Sequence, residues 1–105
     1  MAARVTRHER RRAPRVAADH FGLAGVAVVR PGVDVLVVDM SCGGVLVESS
    51  SAIRPGARTE LAFDGLTGGR RLIGVRALRS WVCRLEPLRY RAALRFDREW
   101  DEGSG

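Results

Sequence analysis

The stretch Val33-Asp34-Val35-Leu36-Val37-Val38-Asp39-Met40-Ser41-Cys42-Gly43-Gly44-Val45-Leu46-Val47-Glu48 decides the fold of this chain. Val33–Met40 alternates, with Val33, Val35 and Val37 on one face and Asp34, Leu36 and Val38 on the other. That period of two belongs to a strand rather than a helix. Gly43-Gly44 then breaks the run, and Val45–Glu48 reads as a second short strand. Two β-branched runs joined by a polar, glycine-containing connection predict neighbouring strands.

The same pattern extends in both directions. Gly25–Arg30 is apolar and β-branched, and Pro31-Gly32 turns it back toward Val33. Ser49–Ser51 is a polar loop and Arg54-Pro55-Gly56 a further turn. Arg58–Phe63 follows as a strand with Thr59, Leu61 and Phe63 on one face. Asp64–Gly69 holds three glycines and reads as a hairpin loop. Leu72–Leu85 is long enough for one bent strand or two short ones, and its alternation is ambiguous. Arg89–Asp97 places Tyr90, Ala92, Leu94 and Phe96 on one face and Arg89, Arg91 and Arg95 on the other. Six or seven strands without a long helix predict an all-β protein, an antiparallel barrel or sandwich. One helical turn is expected at Arg98–Glu102.

The chain has 105 residues, enough for one domain with a small core. Its apolar runs are short, Val35–Val38 among the longest, and fall far short of a membrane span, and the start lacks the apolar block of a secretory signal. A soluble, cytoplasmic protein is therefore expected. Cys42 and Cys83 are too few for a disulfide or metal framework and read as reduced thiols. His8 and His20 lie in or near the N-terminal arm, and they read as solvated side chains. No nucleophile elbow, zinc-binding helix or phosphate loop is present, so an enzyme and a metal cofactor are not expected.

Charge points to an anion. All 18 basic residues are arginine. Residues 1–15 hold six of them against one acid, a net of +5, whereas the other 90 residues carry a net of +1. Within this arm, Arg10-Arg11-Arg12-Ala13-Pro14-Arg15 contains R-x-x-x-R at Arg11 and Arg15. Guanidinium is planar and permanently charged, and its fork of donors matches phosphate oxygens or the O6 and N7 edge of guanine. Asp39-Met40-Ser41-Cys42-Gly43-Gly44 has the form D-x-S-x-x-G. Its ordinary reading is a turn, in which Asp and Ser bond the local backbone. The same groups can accept from guanine N1–H and N2–H2, donate to an acceptor and admit a ligand close to the backbone.

Together, in this order and at these strand boundaries, the two motifs resemble the PilZ family. Glu9-Arg10-Arg11-Arg12 is similar to the family's lead-in, and Tyr90–Phe96 to its closing strand. The resemblance spans about Glu9 to Phe96. It implies a six-stranded antiparallel β-barrel over residues 9–98, between a basic tail at 1–8 and a C-terminal tail at 99–105. It further implies a receptor for cyclic di-GMP that changes shape on binding and signals to a partner protein. By position, Arg10, Arg11 and Arg15 would grip phosphate and guanine. Asp39 and Ser41 would bond a guanine edge, with Gly43 and Gly44 shaping the turn. Where the family's closing strand often has glycine, this chain has Ala92-Ala93, which narrows an adjacent pocket. Trp81 reads as a core residue, with base stacking as its other role. Two rival readings stay open: a barrel of this fold that works as a protein adaptor without ligand, and a nucleic-acid-binding barrel. The latter would use the arginine arm but lacks rows of exposed aromatics on which single strands stack.

Overall fold

The computed structural model describes residues 15–30 and 32–100. It is all-β: β1 (Leu23–Val29), β2 (Val33–Met40), β3 (Gly44–Ser49), β4 (Arg58–Gly65), β5 (Arg70–Leu85) and β6 (Leu88–Phe96) form a closed antiparallel barrel. The strands run around it in the order β1-β2-β3-β6-β5-β4, and β4 pairs back to β1. The expected six-stranded barrel is therefore present. Closure leaves the paired regions without an edge, which a flat sheet of this size would have exposed.

Sequence alternation sets which side of each strand faces inward. Val35 and Met40 of β2, Val45 and Val47 of β3, Leu61 and Phe63 of β4, and Val75 of β5 are almost completely buried. Ala92, Leu94 and Phe96 of β6 join them, as the period-two pattern of that strand predicts. In β2 the register shifts between Val37 and Asp39, so the alternation is interrupted at Val38 and resumes with Met40 inward.

The turns use the expected chemistry. The Gly32 N–H donates to the carbonyl of Val29, and the Ala57 N–H to that of Arg54, where Gly56 adopts a positive φ of 86°. Pro31 lies outside the described residues.

The segment Leu72–Leu85, read as one bent strand or two short ones, is part of one 16-residue strand, β5, with register shifts between Ala77 and Arg79 and between Val82 and Arg84. Other expectations are corrected. Trp81 is not a core residue; it is 37% exposed, because the register shift between Ala77 and Arg79 turns it to the outward side of β5, opposite Arg91. Conversely Trp100, assigned to the C-terminal tail, is 5% exposed and closes the core. Its ring meets Phe63 at 5.3 Å, Phe96 at 5.7 Å and Phe21 at 6.2 Å, and the guanidinium of Arg71 lies 4.3 Å from its centre. The backbone over Arg98–Trp100 is irregular rather than helical, and the rest of the expected helical turn lies outside the described residues. A short 3-10 helix at Ala18–Phe21, not foreseen, buries Ala18 beneath the same aromatic cluster.

Candidate functional site

The N-terminal arm enters the barrel by pairing with the end of β2. Val16 and Met40 exchange both backbone hydrogen bonds at 2.8 Å, forming an isolated antiparallel bridge. This bridge brings Arg15, immediately before Val16, alongside Asp39-Met40-Ser41. The Arg15 Nε donates to Asp39 Oδ1 at 2.7 Å. The two motifs read separately from the sequence are thus joined at this point, Arg15 of the first to Asp39 of the second. Both side chains are partly exposed, so the pair lies at the surface beside the turn.

The turn itself is held from several sides. The Ser41 N–H donates to the Gly44 carbonyl at 2.9 Å, and the Gly43 N–H donates to Ser41 Oγ at 3.3 Å. Phe96 N–H donates to the carbonyl of Gly43, and Trp100 N–H to that of Cys42. Ser41 is buried, and with its oxygen accepting from Gly43 its hydroxyl proton remains available as a donor.

The two glycines differ. A Cβ on Gly44 would stand 2.5 Å from the Leu94 carbonyl oxygen, so only glycine lets β3 approach β6 here. A Cβ on Gly43 would meet nothing within 4 Å. The sequence reading explained Gly44 by ligand approach; the structure adds a packing requirement that is independent of any ligand.

Beside the turn lies an open groove of about 750 Å³. Arg15, Ser41, Gly43 and Gly44 form one side, and β5 and β6 contribute Arg79, Trp81, Ala93 and Arg95. Asp39 does not line the groove and is connected to it through Arg15. Arg10 and Arg11 lie outside the described residues. Ala93 occupies the closing-strand position where the family resemblance led us to expect a narrowed pocket, and it does line the groove. Arg79 and Arg95 were not selected from the sequence, although the outward-facing arginines of the last strand were the available signal for Arg95. The Arg79 guanidinium carbon is 5.2 Å from the centre of the Trp81 ring.

The groove therefore combines three guanidinium groups, a buried hydroxyl, turn backbone and one exposed indole. Such a surface is suited to an anionic ligand with a flat aromatic part: guanidinium for phosphate, indole for a base face, and hydroxyl for a polar base edge. Comparison of the chain with protein-family models, curated proteins and solved structures returned no match. Among the described residues, no helix is long and apolar enough to cross a membrane.

Proposed function

We propose that this protein is a receptor for cyclic di-GMP, which it binds in the groove between the arm, the Asp39–Gly44 turn and the outer faces of β5 and β6. The observation that carries this reading is the Arg15–Asp39 contact, which joins R-x-x-x-R to D-x-S-x-x-G at the mouth of a groove containing Trp81. The groove volume falls within the range of small-molecule sites.

In this reading Arg15, together with Arg10 and Arg11 of the arm, meets the two phosphates and a guanine edge. Trp81 offers a stacking face, and Arg79 and Arg95 supply further positive charge. Ser41 donates its hydroxyl, and the free oxygen of Asp39 accepts from guanine N–H groups. Electrostatics favours a ligand with two phosphates, because the first fifteen residues carry a net charge of +5 and repel one another without a counter-charge. Binding then draws the arm onto the barrel, and this change of shape is the signal read by a partner protein.

Substitution separates a specific site from general attraction. Arg11→Ala, Arg15→Ala and Ser41→Ala should each weaken cyclic di-GMP binding at least tenfold. Arg70→Ala should leave it unchanged, because Arg70 pairs with Asp64 at the start of β5, away from the groove. Equal losses at all four positions would mean bulk electrostatics and overturn the assignment.

A further inference from the structure

The β5–β6 hairpin continues beyond the barrel. β4 pairs with β5 only up to Arg76, and β3 pairs with β6 only from Tyr90. Every residue from Trp81 to Leu88 is exposed. Directly paired residues share a face, so the register assigns Val82 and Tyr90, with Leu85 and Leu88, to the continuation of the core-facing side. Leu85 is 79% exposed, and Val82 and Leu88 are nearly half exposed. The opposite side carries Arg79 with Trp81, Arg84 with Arg89, and Arg91. Arg89 and Arg91 are fastened to Glu48 of β3, both at 3.1 Å, which fixes the base of the hairpin to the barrel. Arg76, Arg79, Arg84 and Arg95 have no carboxylate within 4 Å among the described residues.

Residues 70–96 contain eight arginines and a single acid, Glu86; Arg70, Arg89 and Arg91 pair with Asp64 and Glu48, and the projecting part itself holds Arg84 and Glu86, flanked by Arg79. An apolar face backed by arginines calls for an occupant that is both anionic and apolar. A partner strand would need a regular edge, but two register shifts interrupt β5 at Leu78 and Cys83, a feature that discourages strand addition. A second copy would set Arg79 and Arg84 of one hairpin against those of the other, with Glu86 as the single acid of the projection to offset them. We propose that the projecting hairpin docks on anionic lipid surfaces. It lies with Val82, Leu85 and Leu88 in the headgroup–acyl boundary, while Arg79 and Arg84, on the other face of the two-stranded ribbon, extend past its edges to the phosphates. Arg79 and Arg95 line the groove as well, but Val82, Leu85 and Leu88 do not, so a substitution at Leu85 and Leu88 tests this proposal apart from the cyclic di-GMP reading.

The test is co-sedimentation of the full chain with vesicles. Phosphatidylcholine containing about 30% phosphatidylserine is compared with phosphatidylcholine alone. The expected result is binding to the anionic vesicles at least tenfold stronger than to the neutral ones, and weakening as salt screens the charges. Leu85→Asp/Leu88→Asp should lower that binding at least tenfold while changing the melting temperature little, because Leu85 is largely and Leu88 nearly half exposed. Arg84→Glu should lower it severalfold. Undiminished binding by Leu85→Asp/Leu88→Asp would assign the attraction to the N-terminal arm and overturn the proposal. Absence of vesicle binding, or concentration-dependent self-association abolished by the same double substitution, would overturn it as well.

Discussion

Arg15 Nε and Asp39 Oδ1 are 2.7 Å apart, although 24 positions separate the two residues in the chain. The contact fixes the end of the arm against β2 where the groove begins. Exposed ion pairs of this kind contribute only about 0–1 kcal/mol to folding. Arg15→Ala should therefore lower cyclic di-GMP affinity at least tenfold while changing stability by less than about 1 kcal/mol. Calorimetric titration and chemical denaturation of the same variant separate the two effects. A large loss of stability would make Arg15 structural.

Gly44 and Gly43 are adjacent but should respond differently. The Leu94 carbonyl lies where a Cβ on residue 44 would stand, so Gly44→Ala must push β3 away from β6. An overpacking cost of about 1–3 kcal/mol is expected. Gly43→Ala meets open space and should stay within about 0.5 kcal/mol of the parent. Urea denaturation of both variants checks this; equal stability would show that the backbone yields at Gly44.

Much of the barrel was legible because the alternation of β6, and of β2 as far as Val37, matches their burial, while in β4 Ala62 is buried between Leu61 and Phe63. Thr59, Leu61 and Phe63 of β4 were read on one face, and Leu61 and Phe63 are fully buried. β5 was ambiguous for a physical reason. Its two register shifts reset the period of two at Leu78 and Cys83, and its last residues have no core to face. Trp81 belongs to the same case: unbroken alternation from Val75 and Ala77 would place it inward, and the shift at Leu78 turns it outward, opposite Arg91. Trp100 was misread because one aromatic among charged residues has no periodicity. At the site, Arg15, Ser41, Gly43 and Gly44 were legible as motif positions. Arg79 was not, because its place beside the groove depends on the register of β5 against β6.

Glu48 gives a dependence on pH. Hydrogen bonds from Arg89 and then Arg91 hold its carboxyl below its ordinary pKa. A carboxylate lowered in the folded state stabilises above its unfolded pKa of about 4.3, and that contribution is lost as pH falls through the lower folded value. Glu48→Gln should thus melt below the parent at neutral pH, with the gap closing under acid conditions. Thermal melts across pH check this; a gap that stays constant would remove the carboxylate from the account.

The two tryptophans offer separate reporters. Trp100 is packed among Phe63, Phe96 and Phe21, and Trp100→Ala should cost about 3–5 kcal/mol. Trp81 is exposed beside the groove, so Trp81→Phe should leave stability within about 0.5 kcal/mol. It should also remove most of the fluorescence change caused by ligand. A full fluorescence response in Trp81→Phe would place the ligand elsewhere.

The central claim is tested most directly by calorimetric titration of the full chain with cyclic di-GMP at physiological salt, with GMP and a short DNA duplex as competitors. The account predicts saturable binding near or below ~1 μM, equivalent to roughly 8 kcal/mol, that neither competitor displaces. Absence of binding heat, or displacement by the duplex with a steep dependence on salt, would contradict it.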